Sequence, residues 1–407
     1  MIQSSKNAWA WKDTVAVTVF LALFAYVYAG FYFIDPSILM IHDFVGKFLK
    51  LIRLFFPILV SAGVYLYVLF RKEKISFRSL LYLNVLGMIS FLLFFLASDL
   101  AYNHSKEQKL KEFHTYLQLN PPLVGGYDKD RFNVICLGGS TTEFKDSLKR
   151  DWPSMVETVL RDKYRFSSIK FYNMGRQWYS SQHILIHYIQ NVRKFKPQAV
   201  IVMENINDLL HNADFSRFSA SGFREDYGNF LGPLAKVIKF GSFSQLLIEV
   251  LRSIWYQKAP EEVVTDRFPG LEPYERNIRT LIALARQDGT MVILMTQPNI
   301  YKEAMSPGEM RALHMLNTEA IGNGRKWAYR TALSGIRQYN DRMRAIAASE
   351  NVPLVDLENA VPKSLEYFSD DVHYKKPAYD LIADVLSEQL AHILPGPEKG
   401  QGSTDGR

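Results

Sequence analysis

From residue 131 onward, short apolar runs alternate with longer segments in which apolar and polar residues are mixed. The runs are a few residues long and mostly uninterrupted, as expected of strands that are buried on both faces of a parallel sheet. They predict strands at residues 133–138, 168–172, 198–203, 291–296 and 353–357. The segments between them predict helices at residues 153–163, 180–194, 274–287, 329–349 and 376–393. Because this alternation is typical of βαβ units, we expect an α/β domain with a parallel sheet over residues 131–394.

The first hundred residues follow a different pattern, with three long apolar stretches. The stretches cover about residues 14–33, 54–70 and 80–98. Each is close to the ~20 residues that a membrane-spanning helix needs. They predict three transmembrane helices and a membrane domain over residues 1–99, with buried core helices as the alternative. No clear small-residue cleavage site follows the first stretch, so we expect it to stay as an anchor rather than be removed as a signal peptide.

The charges beside these stretches indicate the orientation in the membrane. The short connection at residues 71–78 holds four positive residues in eight, and cytoplasmic loops favour Lys and Arg. Positive residues on the two sides of the membrane tie at six each, so the charge density of this connection decides. It predicts that residues 131–394 form a periplasmic or other extracytoplasmic domain.

Three further segments depart from the regular alternation. Residues 100–130 predict a connector, because Pro121-Pro122 and Gly125-Gly126 interrupt regular structure before the first strand. Residues 209–270 form an insertion rich in aromatic and apolar residues. A helical pair packed on the domain, a wall of the substrate pocket and contact with the membrane surface all fit this insertion. The Gly-, Ser- and charge-rich residues 395–407 predict a disordered tail.

The overall charge narrows the choice of partners. The chain carries a formal charge of +7 and has a pI of about 9.1. Its Lys and Arg residues are scattered instead of forming one stripe, so we expect no nucleic-acid partner. The positive charge fits contact with anionic lipids, and the predicted spans also offer a surface to another membrane protein. The single cysteine, Cys136, excludes an intramolecular disulfide framework.

The first candidate for chemistry is a serine on a glycine-rich turn. Gly138-Gly139-Ser140 follows the apolar run at residues 134–137, and we expect glycine to allow a tight, otherwise disfavoured backbone path there. A serine hydroxyl is a poor nucleophile until a base takes its proton. His373 is a candidate for that base, and Asp370 for the group that holds its ring. Taken alone, the turn fits an ordinary loop equally well, and it lacks the Gly-x-x-x-x-Gly-Lys pattern of phosphate-binding loops.

Two other segments place small or amide-bearing residues just after an apolar run. Tyr-Asn-Met-Gly at residues 172–175 follows the run at residues 169–171, and Asn-Ile-Asn-Asp at residues 205–208 follows the run at residues 199–203. In an open α/β sheet, the carboxyl ends of the strands line the ligand crevice. Both segments are therefore candidates for the walls of a site that contains the serine turn.

Four segments in this order resemble the SGNH/GDSL hydrolase family, which is named for Ser, Gly, Asn and His in four blocks. These residues fall here at Ser140, Gly175, Asn207 and His373, and the likeness spans roughly residues 130–393. The resemblance implies a three-layer α/β/α fold of the flavodoxin-like kind. One position departs from the family pattern, because Asn205 stands where the third block usually has glycine.

The resemblance also implies a role for each matched residue. Ser140 is the expected nucleophile, His373 its base and Asp370 the third member of the triad. The expected oxyanion hole consists of the backbone N–H groups of Ser140 and Gly175 and the side chain of Asn207. Ser140 is expected to begin a helix, whose first N–H groups favour negative charge. No cofactor is expected.

Several neighbouring residues admit more than one interpretation. Three-residue spacing favours Asp370 over Asp371, which we expect to be a solvent-facing turn carboxylate. The residues directly after Gly175 are expected either to line the substrate pocket or to form a surface loop: Arg176, Trp178 and Tyr179. His183 and His187 are four residues apart on a predicted helix, which we interpret as structural, so we expect no metal site.

These observations predict a membrane-anchored serine esterase that acts outside the cytoplasm on an O-acyl group of a glycan or lipid. An O-acyltransferase that modifies a cell-envelope polysaccharide with the same site is the close alternative. A non-catalytic scaffold or sensor is a third hypothesis, against which the intact set of four catalytic positions argues.

Overall fold

A computed structural model of the chain describes residue 18 and residues 62–69, 71–72, 76–118, 126–211, 261–317 and 325–395. The chain divides into two compact units. The described residues up to 111 belong to the first unit, and the described residues from 112 to 395 belong to the second.

The longest helix among the described residues is α1, Phe77–Gln118, which covers the third predicted apolar stretch. It continues through the charged residues after position 99, so the predicted boundary there is not a helix end. Leu86, Leu93 and Leu96 are each at least 60% exposed along it. In the part of the chain that the structure describes, no helix is long and apolar enough to cross a membrane. The three predicted spans are therefore not supported, although most of the first two lies outside the described residues.

Seven short strands lie among the described residues of the second unit. They are β1 Phe132–Gly138, β2 Ile169–Asn173, β3 Ala199–Met203, β4 Glu261–Val263, β5 Met291–Met295, β6 Arg325–Trp327 and β7 Leu354–Val355. Five of them form one sheet in the order β2-β1-β3-β5-β7, and all of its strand pairs are parallel. This sheet confirms the predicted α/β class and the five predicted strands.

Ten further helices follow α1 among the described residues. They are α2 Ser140–Glu143, α3 Trp152–Lys163, α4 Ser181–His187, α5 Ile206–His211, α6 Leu271–Gln287, α7 Pro307–Ala312, α8 His314–Asn317, α9 Tyr329–Glu350, α10 Leu357–Ala360 and α11 Lys376–Ile393. The start of α3 shows why such sequences begin helices: the Asp151 side chain accepts the Ser154 N–H, and Pro153 lies in the first turn.

The helices form two layers around the sheet. Along the order of strands in the sheet, the chain steps in one direction from β1 to β2 and in the opposite direction from β2 to β3, β5 and β7. Connections between parallel strands are right-handed, so helix α3 lies on one face of the sheet, and α4, α6 and α9 lie on the other. Helices α3 and α11 pack against each other, as do α4 with α6 and α6 with α9. All five residues of β3 are buried because both faces of the sheet are covered.

Two details differ from the sequence prediction. The helix predicted at residues 180–194 is shorter, because α4 ends at His187 and continues as a π-helical turn, Tyr188–Val192, and a 3-10 turn, Arg193–Phe195. A second, two-stranded parallel sheet joins β4 to β6, and β4 begins inside the predicted insertion at 209–270. Most of that insertion, and the tail from residue 396, lie outside the described residues.

The strand order also determines where a ligand can bind. Strand β1 lies between β2 and β3, so the chain direction across the sheet reverses at β1. In parallel sheets, the crevice outside the carboxyl ends of the strands at such a point is the usual ligand site. The segments that follow β1, β2 and β3 are the three that carry Ser140, Gly175 and Asn207.

Candidate active site

Ser140 is the first residue of the one-turn helix α2 and the second residue after the end of β1. Its side chain lies at the carboxyl edge of the sheet, and the residue is 8% exposed. Its Oγ is 2.8 Å from Nε2 of His373. The structure thus brings together two residues that are 233 positions apart in the sequence.

Gly139 is required by the space around the serine turn. A Cβ added there would lie 2.4 Å from Nδ2 of Asn207 and 2.7 Å from Oε2 of Glu204. The backbone φ of Gly139 is −84°, which any residue adopts. The expectation of a disfavoured backbone path is therefore wrong, and glycine is needed because two polar side chains press against its Cα.

Asp370 holds His373 through both of its carboxylate oxygens. Oδ2 is 2.8 Å from Nδ1 of the His373 ring, while Oδ1 accepts the backbone N–H groups of Val372 at 3.0 Å and His373 at 2.9 Å. The three-residue spacing lets one side chain bind both the ring and the turn that carries it. A bond from the Ser369 N–H to the His373 carbonyl, 2.9 Å long, closes the loop.

The charge on Asp370 follows from these contacts. Burial by itself would raise the pKa of the Asp370 carboxyl, but the hydrogen bonds and charge of His373 and the two backbone N–H groups outweigh it. The net pKa lies below the usual value for aspartate. An ionised Asp370 accepts the Nδ1 proton of His373, which leaves Nε2 to accept the proton of the Ser140 hydroxyl.

Phe144, a residue that sequence reasoning missed, covers one face of the His373 ring. The two ring centroids are 5.0 Å apart and the rings are inclined by 27°, a stacked arrangement. Phe144 is only partly buried and directly follows α2. No chemical pattern singles out a phenylalanine at this position, because its role depends on the fold bringing His373 beside it.

Gly175 packs against the same helix from the side of β2. A Cβ added there would lie 2.5 Å from the backbone nitrogen of Glu143, so only glycine fits. Its N–H donates to Oδ1 of Asn173 over 3.0 Å, and Nδ2 of Asn173 donates to the carbonyl of Thr142 over 2.7 Å. The Gly175 N–H therefore already has an acceptor within the protein.

Asn207 lies on the opposite side of the serine turn, in the first turn of α5. Its Nδ2 donates to the carbonyl of Tyr179 at 2.8 Å and to Oε2 of Glu204 at 3.3 Å. Both hydrogens of this amide are thus engaged in the structure. Of the three expected oxyanion donors, Ser140 N–H is the one that makes no hydrogen bond within the described residues.

Glu204, which sequence reasoning also missed, binds the segment that carries Asn207. It is 1% exposed, and its Oε1 accepts the backbone N–H groups of Asn205 and Asn207, each at 3.0 Å. Burial raises the pKa of this carboxyl well above its usual range, and the nearby charge of Asp208 adds to the shift. Asp208 accepts the N–H and the hydroxyl of Ser181, at 2.7 and 2.6 Å. A buried glutamate at the end of the apolar run at residues 199–203 was the available sequence signal.

Gln297, the second residue after β5, joins the two sides of the site. Its Nε2 donates to Oγ1 of Thr141 over 3.2 Å, and its Oε1 accepts the Ile206 N–H over 2.9 Å. Thr141 follows Ser140, and Ile206 precedes Asn207. One buried side chain therefore links the helix that carries the serine to the helix that carries the asparagine.

Asp371 differs from its prediction. It is fully buried, and its Oδ1 accepts the hydroxyl of Tyr301 at 2.5 Å. The expectation of a solvent-facing carboxylate is wrong, because the loop that carries Asp370 and His373 packs on the segment after β5. The backbone N–H of Ile300 also donates to the Asp371 carbonyl, over 3.0 Å.

The three residues predicted at the pocket occupy different environments. Arg176 is half-buried, and its Nη1 donates to the carbonyl of Gly175 over 2.7 Å. Trp178 is half-buried and has a φ of 63°, a left-handed conformation that a bulky residue rarely adopts. The Tyr179 side chain is 2% exposed and stacks on His183, so it packs in the core rather than lining an open pocket.

The paired histidines of α4 have structural surroundings. Nδ1 of His183 is 2.7 Å from the hydroxyl of Ser180, which caps the start of the helix. Nδ1 of His187 is 2.9 Å from Nδ2 of Asn191, and burial, with the charge of Arg176, lowers the His187 pKa to about 3. Within the described ranges, no three His, Cys, Asp or Glu side chains cluster as a metal ion would require.

Residues 136–381, more than half of the chain, match the sequence model of the GDSL-like Lipase/Acylhydrolase family. The chain therefore belongs to the GDSL-like lipase/acylhydrolase family, and it is an esterase or acylhydrolase acting on ester bonds. The match confirms the resemblance that the four sequence segments predicted. No curated protein is significantly similar in sequence to the chain.

Several solved structures resemble the chain. Axe2, an acetylxylan esterase from Geobacillus stearothermophilus, is 17% identical; the match covers 65% of this chain and 96% of that one, with a TM-score of 0.40. The lipase/acylhydrolase from Enterococcus faecalis is 16% identical, with coverage of 66% and 98% and a TM-score of 0.39. Since these identities and TM-scores are low, membership of the family rests on the sequence match.

Proposed function

We propose that the chain cleaves O-acyl esters with Ser140 as the nucleophile, His373 as its base and Asp370 as the group that orients the base. The observation that carries this proposal is the line of hydrogen bonds from Ser140 Oγ to His373 Nε2 and from His373 Nδ1 to Asp370 Oδ2, each 2.8 Å long. General-base activation of a serine requires such a line. Membership of a family of ester hydrolases supports it independently.

The reaction proceeds through an ester of Ser140. Its Oγ attacks the substrate carbonyl carbon while His373 Nε2 takes the hydroxyl proton, and negative charge develops on the carbonyl oxygen. The bond to the leaving alcohol then breaks, and His373 returns the proton to that alcohol. Water then attacks the carbonyl carbon of the acyl-enzyme while His373 Nε2 takes its proton. The bond to Ser140 Oγ breaks, His373 returns the proton to Oγ, and the acid is released.

The developing oxyanion needs hydrogen-bond donors. Ser140 N–H, Gly175 N–H and Nδ2 of Asn207 are the proposed donors, and one such donor is typically worth about 3 kcal/mol of barrier. In the structure, the Gly175 N–H donates to Asn173, and Nδ2 of Asn207 donates to Tyr179 and Glu204. Substrate therefore has to share or replace one of these acceptors as the charge develops.

The test is hydrolysis of p-nitrophenyl acetate by the purified full chain. Ser140→Ala is expected to abolish turnover, because no other hydroxyl lies beside His373 Nε2 in the described residues. Ser154→Ala is the matched control, since the exposed Ser154 hydroxyl donates only to the Asp151 carbonyl in α3. Undiminished hydrolysis by Ser140→Ala would contradict the proposal. Esters of longer acyl chains, measured in parallel, give the size of the acyl pocket.

We further propose that the first hundred residues attach the enzyme to a membrane and that its substrate is an O-acylated glycan or lipid outside the cytoplasm. The three apolar stretches support attachment, as do the exposed leucines of α1, because soluble proteins rarely expose long apolar faces. Attachment keeps the site near acylated molecules of the cell envelope. The positive connection at residues 71–78 supports the extracytoplasmic side.

Fractionation tests this attachment. Cells producing the full chain are lysed, and the membranes are washed at alkaline pH before the chain is detected. Attachment predicts that the chain stays with the membranes until detergent is added. In a separate sample of unlysed cells, it predicts that added protease reaches residues 131–394. Release by the alkaline wash would contradict it.

Acyl transfer to a hydroxyl group of a cell-envelope polysaccharide is the second candidate reaction. Phe144 favours it, because this ring covers one face of the His373 imidazole and limits the access of water to the base. Adding methanol during p-nitrophenyl acetate turnover measures the partition: a transferase yields more methyl acetate than the mole fraction of methanol predicts. Phe144→Ala is expected to move the partition toward acetate.

A further inference from the structure

One neighbouring carboxyl group binds both the backbone and the side chain of Asn207. Glu204 accepts the backbone N–H of Asn207 at 3.0 Å with Oε1 and its side-chain Nδ2 at 3.3 Å with Oε2. The same Oε1 accepts the N–H of Asn205 at 3.0 Å. Glu204 therefore fixes both the turn that leads into α5 and the amide at its start.

The other amide hydrogen of Asn207 has a stronger partner. The bond from Nδ2 to the Tyr179 carbonyl is 2.8 Å long, against 3.3 Å for the bond to Glu204. Hydrogen bonds weaken as they lengthen, so the Tyr179 bond anchors the amide and the Glu204 bond is the one more easily given up. Both partners also lie beside the serine turn, since a Cβ at Gly139 would lie 2.7 Å from Oε2 of Glu204 and 3.5 Å from the carbonyl oxygen of Tyr179.

We propose that Glu204 is a positioning residue of the ester-cleaving site, which holds the Asn207 amide beside Ser140 in the resting enzyme and yields one amide hydrogen to the substrate oxyanion. This inference rests on the proposed function, in which Asn207 is an oxyanion donor. Glu204 touches neither Ser140 nor the reacting ester, and it acts through Asn207.

The surroundings of Glu204 disfavour a negative charge on its carboxyl group. The carboxyl group is fully enclosed and lies near Asp208, whose oxygens are taken by Ser181. Two enclosed carboxylates side by side cannot both ionise readily. Burial and Asp208 accordingly raise the pKa of Glu204 well above its usual range. A neutral carboxyl still accepts the N–H groups but places less negative charge beside the developing oxyanion.

Glu204→Gln separates the two contacts of Glu204. Glutamine keeps a carbonyl oxygen for the backbone N–H groups but turns an NH₂ group toward Nδ2 of Asn207, where two donors then face each other. We expect kcat for p-nitrophenyl acetate to fall roughly tenfold to a hundredfold with KM little changed, since small displacements of a catalytic group cost rates of this order. Glu157→Gln is the matched control, because Glu157 in α3 likewise accepts a backbone N–H, that of Phe171 in β2, and its other oxygen accepts Nζ of Lys170.

A double substitution distinguishes positioning from a loss of general stability. Asn207→Ala is expected to lower kcat by about a hundredfold to a thousandfold, the usual effect of one oxyanion donor. If Glu204 acts through Asn207, adding Glu204→Gln to Asn207→Ala lowers kcat no further. Losses that multiply, or a Glu204→Gln enzyme with wild-type kcat, would overturn the inference.

The activity of Ser140→Ala and the thermal unfolding of Glu204→Gln separate the remaining explanations. Ser140→Ala is assayed beside these variants: if it retains activity, the proposed function fails, whereas a dead Ser140→Ala with an unaffected Glu204→Gln defeats only the role of Glu204. Thermal unfolding shows whether Glu204→Gln folds. Should it not fold, Glu204→Asp replaces it, because the shorter acid withdraws the carboxyl group from Asn207 and is expected to lower kcat in the same way.

Discussion

The two sides of Ser140 are built differently. On one side, the hydroxyl, the His373 ring and the Asp370 carboxylate form a line of hydrogen bonds with 2.8 Å at each step. On the other side, the Gly175 N–H and the Asn207 amide donate to acceptors of the protein itself. The base side is already hydrogen-bonded in the order that proton transfer uses, whereas Gly175 and Asn207 have to share or exchange partners when the oxyanion forms.

This difference has a local cause. Asp370 and His373 are three residues apart, and one carboxylate secures the ring and the turn together. The donors come from two separate strands, and their amides lie between buried polar groups that need partners in the absence of substrate. We therefore expect the rate to depend both on the hydrogen-bonded base and on donors that are held loosely enough to be released.

The largest effect is expected on the base side. His373→Ala removes the group that accepts the Ser140 proton, and kcat for p-nitrophenyl acetate should fall on the order of 10⁶-fold, as when the histidine of a serine protease is removed. His392→Ala, at the end of α11, is the control and should retain wild-type kcat. A loss of less than tenfold in His373→Ala would show that the base lies elsewhere.

Asp370→Asn should have the next largest effect. Asparagine keeps the shape but supplies no negative charge to hold Nδ1–H, so the ring loses the tautomer that accepts the serine proton. We expect kcat to fall about 10⁴-fold. Asp341→Asn on the exposed face of α9 serves as the control, measured in the same assay. An Asp370→Asn enzyme with wild-type kcat would remove Asp370 from the base side.

The donor side should show a smaller effect. Asn207→Ala leaves the line from Ser140 to Asp370 intact, so kcat should fall about a hundredfold to a thousandfold while the reaction of Ser140 with a fluorophosphonate remains detectable. Asn359→Ala, whose exposed amide donates to Asp356, is the control. If Asn207→Ala were as inactive as His373→Ala, the two sides would not be separable.

The smallest expected effect concerns His187, which packs behind the donor side, and the pH dependence of the free energy of unfolding. His187 packs edge-on against Tyr179, whose carbonyl anchors Asn207. Its pKa is lowered from 6.5 to about 3 by burial and by Arg176, so the unfolded chain binds a proton between these values and the folded chain does not. The stability that this contributes is present above pH 6.5 and is lost as the pH falls toward 3.

As the pH is lowered from 6.5 to 5, the contribution of His187 should decrease the free energy of unfolding by about 2 kcal/mol. Urea denaturation at the two pH values measures the decrease, and His187→Gln should reduce it by that amount. An equal pH dependence in wild type and His187→Gln would show that His187 is not buried in its neutral form.

The fold was largely predictable because strands buried on both faces read as apolar runs. The five strands of the main sheet and the helices at α3, α6, α9 and α11 follow their predicted positions closely. The predicted end of the membrane domain at residue 99 is not a helix end, because α1 continues into a segment rich in Lys, Glu and Gln, which are good helix formers. A change from apolar to polar residues marks a change of surroundings rather than a break in a helix.

The candidate site was predictable only where the pattern is local. Asp370 and His373 share one turn, so their spacing carries the information. The burial of Asp371 depends on Tyr301, 70 residues away, and Glu204 lies beside the serine turn only because the fold brings Gly139 next to it. Trp178 adopts a positive φ that no pattern predicts for a bulky residue. Long-range packing decides each of these cases.

The most direct test of the account is the site of covalent labelling by a fluorophosphonate. The full chain is treated with the reagent, digested and examined by mass spectrometry, beside Ser140→Ala and His373→Ala. The account predicts one adduct, on the peptide that contains Ser140, absent from Ser140→Ala and formed far more slowly in His373→Ala. An adduct on another residue, or labelling of Ser140 at an unchanged rate without His373, would contradict it.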